Sequence, residues 1–359
     1  MNQLLGDHVA SIGSALESYF DTQAGQILTF HPWGEDLRCR LRDFTLRGKL
    51  LRGALVPFTF RLFSREDPLP SACLQAGVAM ELLQAFLLIH DDIMDQDKTR
   101  RGAPAVHAQY EEHLFGKRPE VLSTEGEHYG VAQGICAGDV AAFLAMQIIS
   151  GLEVIPETRV ELVSMISREI VAVGLAQMQD VHHGAVSQAE PEKILEVYTG
   201  KTGRYTFSLP MMIGARLAGQ PDRVVQLLQR FGESQGRIFQ IRDDQLGIFG
   251  DSQLIGKPLG SDIRENKKTL FREELFRRLP QDHPLRDYFG SDQIGPEEVE
   301  KVRQALHEEG VMDVVEEQVA RDREESLEIV ERLSLSAGFS AEGREALEGL
   351  VSYNLGRTR

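Results

Sequence analysis

The chain reads as an all-α protein, a single-domain bundle of antiparallel helices around a central cavity. Three observations carry that reading. Apolar residues recur at helical spacing almost everywhere, while the alternation of β-branched residues that marks strands is scarce. No Ser/Pro-rich linker, low-complexity run or internal repeat divides the 359 residues. Length alone would allow two domains, so the missing linker is what favours one, taken as 1–359. Short connections then make sequential helices antiparallel neighbours.

Element by element, Leu4–Phe20 is a first amphipathic helix, broken by the turn-forming Thr29–Gly34, TFHPWG. Asp36–Arg47 is short and basic, and the apolar Lys49–Phe63 follows directly. The Pro-containing turn Glu66–Pro70 leads into a long central helix from Ala72 to Met94. Further helices are expected over Val131–Ser150 and Thr158–His182. Pro191 opens Glu192–Thr199, because a first helical position has no use for the N–H that proline lacks. Arg223–Gly247 is another helix, Gly250–Asp262 a glycine-rich loop, and Pro296 and Ser340 open the last helical segments, which end near Tyr353.

A net charge of −16 and a pI near 5.1 argue against nucleic acid or an anionic membrane surface as a partner. Cys39, Cys73 and Cys136 stand far apart with no CxxC, which suits reduced thiols in a cytosolic protein. No run reaches the roughly 18 consecutive apolar residues of a membrane span; Gly77–Ile89 is interrupted by Glu81 and Gln84. The amino terminus has no basic region ahead of an apolar core, so no secretory signal is expected. The expectation is a cytoplasmic protein without stable membrane insertion. The one adjacent histidine pair, His182-His183, has no zinc-site spacing.

Chemistry concentrates in Glu81–Gly102, ELLQAFLLIHDDIMDQDKTRRG. An apolar helical run turns acidic at Asp91, Asp92 and Asp95, and Arg100 and Arg101 close it. Residues four apart lie one turn, about 5.4 Å, above each other on one helix face, so Asp91 and Asp95 project side by side. Two carboxylates at the end of an apolar stem suit Mg²⁺, which takes one or two protein carboxylates plus substrate phosphates. The plainer alternative is an acidic helix end on a solvated face. A second such stretch is Gly236–Asp251, GRIFQIRDDQLGIFGD, where an apolar run ends in Asp243 and Asp244.

Together these stretches resemble the trans-type isoprenyl diphosphate synthases, the family of farnesyl and geranylgeranyl diphosphate synthases. DDxxD followed by RRG is similar to that family's first aspartate-rich motif and GxxFQxxDD to its second; the matching motifs run from Gly48 to Lys268. The resemblance implies an isoprenoid-synthase-type fold in a single polyprenyl synthetase domain. It also implies a homodimer and a Mg²⁺-dependent condensation of isopentenyl diphosphate with allylic diphosphates. Three Mg²⁺ ions per site are expected, with Mn²⁺ as a substitute, held by Asp91, Asp95 and Asp243. Asp92 joins the catalytic set, and Asp244 orients or bridges through water.

Carried over residue by residue, Lys49 and Arg52 of GKLLR, Gln84 and Arg101 are implied contacts to isopentenyl diphosphate. Arg100, Lys201 and Thr202 are implied contacts to the allylic diphosphate, with Phe239 and Gln240 in the substrate site. Lys257, Asp262 and Lys267 match a lysine–aspartate–lysine series that closes over the diphosphate, and Gln177 and Asp180 match a GQxxD stretch. The sequence departs from the family pattern at Arg47, Gly53, Ala176 and, in place of a third aspartate in the second motif, Gly247.

Arginine forks suit bidentate phosphate contacts, and a departing diphosphate needs nearby positive charge. The allylic cation left behind survives only where water is excluded, which accounts for apolar helix stems ending in charged residues. Phe86 and Leu87, five and four positions before Asp91, form the floor that limits chain growth. Farnesyl-producing members often carry aromatics at both positions or an insertion in the first motif; here only Phe86 is aromatic and DDIMD has no insertion. That combination resembles geranylgeranyl diphosphate synthases and implies a twenty-carbon product. The alternatives are a farnesyl or longer-chain synthase, a class I terpene cyclase and a non-catalytic regulatory subunit. DDQLG in place of a cyclase metal motif disfavours the cyclase, and the intact Asp91, Asp92 and Asp95 disfavour the regulatory subunit.

Overall fold

The computed structural model describes residues 2–118, 120, 122–250, 260–291, 293–336 and 338–357. The chain is all-α. Its helices are α1 (Asn2–Asp21), α2 (Gln23–Leu28), α3 (Gly34–Leu46), α4 (Leu51–Phe63), α5 (Ser71–Met94), α6 (Val106–Lys117), α7 (Ser123–Ser150), α8 (Pro156–Ala185) and α9 (Pro191–Val197). A π-helix, Tyr198–Ser208, follows without a break. Then come α10 (Leu209–Leu217), α11 (Asp222–Phe249), α12 (Ser261–Arg264), α13 (Leu270–Arg278), a 3₁₀ turn at Pro284–Tyr288, α14 (Pro296–Glu308), α15 (Val311–Leu333) and α16 (Ala341–Leu355). Two-residue strands β1 (Thr99–Arg100) and β2 (Ala103–Pro104) form the only sheet among the described residues.

Several elements differ from the sequence expectation. Helices α2, α6 and α13 and the small hairpin were not anticipated, and α7 starts at Ser123 rather than Val131. Of the expected Gly250–Asp262 loop, residues 251–259 lie outside the described residues, and Ser261–Arg264 is helical. Pro191 does stand at the first turn of α9. Local chemistry fixes several other helix starts. The Thr269 hydroxyl accepts from Arg272 N at α13, Ser340 from Gly343 N at α16, and the Glu298 carboxylate reaches back to Gly295 N at 2.9 Å before α14. Each satisfies an N–H that the helix cannot pair internally.

Two compact units emerge, the first comprising Asn2–Met165 with Pro210–Gln220, the second Ile166–Leu209 with Pro221–Arg359. In the first, α4 and α5 cross where Gly53 and Gly77 bring their backbones together; a Cβ on either glycine would sit 2.8 Å from the other's carbonyl oxygen. Helix α7 carries glycines at 126, 130, 134 and 138, one per turn on one face. Added Cβ atoms there would fall 2.5–2.8 Å from Phe115, the His107 carbonyl, Ile93 and His90. This bare column lets α6 and the end of α5 lie directly on the α7 backbone.

Helices α5 and α7 are long and apolar enough to cross a membrane by length and composition, but 72% of the most apolar stretch of α5 is buried in the fold. Helix α7 is the more exposed of the two, with Ile135 at 44% and Phe143 at 75% exposure. In the second unit, α11 is the spine. Ile238, Ile241 and Ile248 pack with Leu270, Phe271 and Leu275 of α13, and with Val299 and Val302 of α14 and Val311, Val315 and Val319 of α15. Gly232 and Gly236, one turn apart on α11, meet the π-helix at backbone distance, a Cβ on Gly236 falling 2.0 Å from Gly203 Cα.

Candidate active site

In the first unit, Asp91 lies in the last turn of α5 and Asp95 caps it, the Asp95 N–H donating to Asp91 O at 2.8 Å. The two carboxylates therefore stand one turn apart, Asp91 half-buried and Asp95 exposed. Adjacent residues on a helix point about 100° apart, and Asp92 accordingly points inward, with 0% exposure. Its carboxylate accepts from Arg100, which also donates to Asp97 at 3.2 Å. Burial pushes the Asp92 carboxyl up to about 6 although the Arg100 guanidinium opposes the shift.

Beyond Asp97 the chain doubles back through the hairpin. Thr99 pairs with Pro104 and Arg100 with Ala103, leaving Arg101-Gly102 as a two-residue loop with φ of +54° and +73°. Both positive values mark a type I′ turn, whose twist suits such hairpins and whose second position favours glycine. RRG is thus a turn as well as a charge pair. It sends Arg101 toward the end of α3, where Nη1 lies 3.4 Å from Phe44 O. Gly48 lies beneath it, since a Cβ there would stand 2.7 Å from Arg101 Nη1.

Lys49 is exposed and Arg52 half-buried in the turn that opens α4. That helix starts after Leu50 in the left-handed region (φ +51°), a residue with no capping side chain. The cap comes from α5: the buried Glu81 carboxylate accepts from Gly53 N at 2.6 Å. Burial raises the Glu81 pKa, against the opposing pull of Gly53 N–H, Arg52 and Arg101. Glu81 thus serves as helix cap and counter-ion to the two arginines. One helical turn on, Gln84 is also buried. Phe86 and Leu87 are half-buried on the stem below Asp91.

The second unit repeats the division of labour between adjacent aspartates. Asp243 is half exposed, and its carboxylate is met at 3.2 Å by Arg357, whose guanidinium also stacks 3.7 Å over the Phe239 ring. Asp244 is fully buried and accepts from Gln240 at 3.0 Å, Lys267 at 3.0 Å and the Tyr198 hydroxyl. Burial and then the Asp244 charge hold the Tyr198 phenol well above its usual pKa. For Lys267, burial alone would lower the pKa, but Asp244 and Asp262 outweigh it and raise it. The Thr202 hydroxyl donates to Gln240 at 3.0 Å, tying the π-helix to this network. Lys201 pairs with Asp180 at 2.9 Å, so two separately expected residues are neighbours.

At Gly247, where many family members have a third aspartate, the structure supplies a reason for glycine. A Cβ there would fall 2.5 Å from Asp262 Oδ2, so the Asp262 carboxylate already fills that space. Lys257 lies outside the described residues.

The donor set fits Mg²⁺ or Mn²⁺. No three His, Cys, Asp or Glu side chains among the described residues converge in a way that could hold a metal ion, so neither motif is a closed protein cage. What each motif offers is one or two outward carboxylates, the mode in which Mg²⁺ takes its other ligands from water and phosphate. The Arg357 guanidinium on Asp243 marks that carboxylate as a place that attracts positive charge.

Sequence reasoning missed Glu81, Tyr198 and Arg357. Glu81 had a signal, a lone charge inside the apolar run Ala76–Ala85; Tyr198 and Arg357 had none, because their partners lie 46 and 114 residues away.

Comparison with known proteins follows the same lines. Residues 39–308 match the family model of polyprenyl synthetases. The chain is 35% identical over 229 residues to a geranylgeranyl diphosphate synthase of Sulfolobus acidocaldarius, covering 63% of this chain and 62% of that protein. The shared region thus spans less than two thirds of that relative. Identity to a geranylfarnesyl diphosphate synthase of Natronomonas pharaonis is 32% over 291 residues, 79% of this chain and 75% of that one. A crystal structure of geranylgeranyl pyrophosphate synthase from Corynebacterium glutamicum, complexed with isoprenyl diphosphate and magnesium, superposes with a TM-score of 0.85. Its identity is 27%, with 98% of this chain and 99% of that one covered.

Proposed function

The chain belongs to the polyprenyl synthetase family, and on that premise we propose that it condenses isopentenyl diphosphate with allylic diphosphates, making geranylgeranyl diphosphate as its main product. The observation that carries this reading is the end of α5. There Asp91 and Asp95 stand one turn apart over an apolar stem, with the Arg101 hairpin laid on the Gly48 turn of the same unit. The family match draws on both compact units, which supports treating residues 1–359 as one polyprenyl synthetase domain.

Asp91, Asp95 and Asp243 would hold the cations, three Mg²⁺ per site or Mn²⁺ in their place. Such ions offset the charge that builds on a departing diphosphate. The inward aspartates set up the basic residues. Asp92 fixes Arg100, and Asp244 fixes Lys267 and, through Gln240, Thr202. Asp180 holds Lys201. Arg100, Lys201, Thr202 and Lys267 then serve the allylic diphosphate, with Lys257 completing the closing series. Lys49, Arg52, Gln84 and Arg101 receive isopentenyl diphosphate, backed by Glu81. The apolar α5 stem keeps water from the allylic cation until the isopentenyl double bond attacks it.

On that stem the half-buried Phe86 ring is the floor, and Leu87 leaves the room that a second ring would take, which supports twenty carbons. A homodimer is part of this reading. Phe143 and Ile135 expose large apolar surface on one face of α7, as do Val171, Leu175 and Met178 along α8, and such surface favours burial against a partner. The free cysteines support a cytoplasmic setting.

The test is incubation of the enzyme and Mg²⁺ with isopentenyl diphosphate and, in turn, dimethylallyl, geranyl or farnesyl diphosphate, with products separated by length. Geranylgeranyl diphosphate is the expected main product with each primer. Absence of condensation with all three refutes the activity. A main product of thirty carbons or more refutes the twenty-carbon assignment.

A further inference from the structure

We propose that His90 is a positioning residue for product length: seated in the notch that Gly138 leaves on α7, it holds the Phe86 ring where chain growth stops. The inference rests on the reading of Phe86 as the floor and adds what keeps that floor in place.

Phe86 is only half-buried, so enclosure does not fix its rotamer. A ring that swings aside opens the stem as effectively as a smaller residue would. One turn later on α5, the His90 imidazole stands edge-to-face against it, with centroids 4.9 Å apart and planes at 73°, an arrangement that aromatic pairs favour. His90 is itself anchored from the other side. Its Nε2 lies 3.1 Å from the Ile135 carbonyl oxygen and 3.7 Å from the Asp139 carboxylate. The ring rests on bare α7 backbone, since a Cβ on Gly138 would fall 2.5 Å from both Cδ2 and Nε2.

Fixation therefore runs from the α7 backbone through His90 to Phe86. Three residues that read separately as a motif neighbour, a helix-breaking glycine and a core aromatic form one device. The device predicts two different product signatures. Removing the ring moves the whole distribution to longer chains. Loosening the ring leaves the twenty-carbon product in place and adds a tail of longer ones, because the floor is then present only part of the time.

The experiment compares product lengths at equal, low conversion for the wild type, Phe86→Ala, His90→Leu, Gly138→Ala and the double variant His90→Leu/Gly138→Ala. Circular dichroism melts serve to check folding. Phe86→Ala is expected to shift the main product beyond twenty carbons. His90→Leu and Gly138→Ala should each raise the share of products of twenty-five carbons or more by roughly two- to tenfold, the scale set by one edge-to-face aromatic pair. The double variant should show no larger tail than His90→Leu alone, since the glycine acts only through the imidazole. If Phe86→Ala lengthens the product while His90→Leu keeps the wild-type ratio, the inference about His90 falls and the Phe86 floor stands. If Phe86→Ala leaves the ratio unchanged, the floor reading itself is wrong. Should Gly138→Ala fail to fold, His90→Asn and His90→Leu supply the test, both expected to give the tail.

Discussion

Gly236→Ala is the most demanding single-atom test of the second unit. A Cβ at that position would lie 2.0 Å from Gly203 Cα and 2.5 Å from Gly203 N, both backbone atoms of the π-helix. Ordinary contact begins near 3.4 Å, so α11 and the π-helix must separate locally by about 1.4 Å. The 3.0 Å bond from Thr202 to Gln240 does not survive such a displacement. Overpacking of this kind typically costs about 1–3 kcal/mol, and a clash between two backbones, with no side chain to turn aside, belongs at the upper end. For unfolding of a 359-residue chain as one unit, Tm should fall by roughly 3–4 °C. Gly6→Ala in α1 is the control: a Cβ there meets nothing within 4 Å, so helix propensity alone should make it neutral or stabilising by up to about 1 kcal/mol. Thermal melts followed by circular dichroism, with KM for the allylic substrate measured alongside, decide the matter. If Gly236→Ala melts with the wild type and keeps its KM, the two helices do not meet as described.

Other outcomes follow from the same geometry. Asp91→Asn and Asp243→Asn should each lower turnover by orders of magnitude with helical circular dichroism intact, and chelation should abolish condensation until Mg²⁺ is restored; full activity after chelation overturns the metal requirement. In the single chain Cys39 and Cys136 are exposed and Cys73 buried, so a dimer through the α7 face should protect Cys136 and leave Cys39 as the thiol that iodoacetamide alkylates in native protein. Labelling of Cys136 at the rate of Cys39 removes that interface. Glu81→Ala should cost about 1–3 kcal/mol by leaving the buried Gly53 N–H unpaired, with Glu81→Gln milder because it keeps an acceptor oxygen. The Glu81 carboxyl has a pKa raised by burial, so the stability it lends is full below its unfolded value and declines as pH rises through the folded one. Glu81→Gln should therefore be less harmful at pH 7 than at pH 4, and the reverse order in denaturation midpoints would contradict a buried carboxyl.

The sequence made legible whatever depends on residues near one another in the chain. Asp91 and Asp95 share a turn in any helix, and α5 was recognisable from its apolar run alone. The inward turn of Asp92 and Asp244 was not, because periodicity says that adjacent residues diverge but not which of them meets the core. The hairpin escaped notice because two-residue strands are too short to alternate, and only its Arg-Gly loop carries conformational information. The glycine column of α7 lies in plain view at four-residue spacing, yet in isolation such a segment has low helix propensity, so the sequence marks that helix only from Val131 onward. Tyr198, Arg357 and the Asp262 carboxylate beside Gly247 depend on contacts across the fold.

The π-helix also bears on how this segment can change length. Its i→i+5 bonding accommodates residues that an α-helix would place at other angles, and within eleven residues it aims Tyr198 at Asp244, Lys201 at Asp180, Thr202 at Gln240 and Arg204 at Glu169. Loss of a single residue would let the stretch relax toward ordinary α-helix, a gain in local backbone energy. The same loss would rotate every side chain on one side of the cut by roughly 100° relative to the other, so some of the four pairs would have to part. Insertions and deletions between 198 and 208 thus trade backbone comfort against aim. A lineage that keeps these partners has to keep the segment's length as well as its letters.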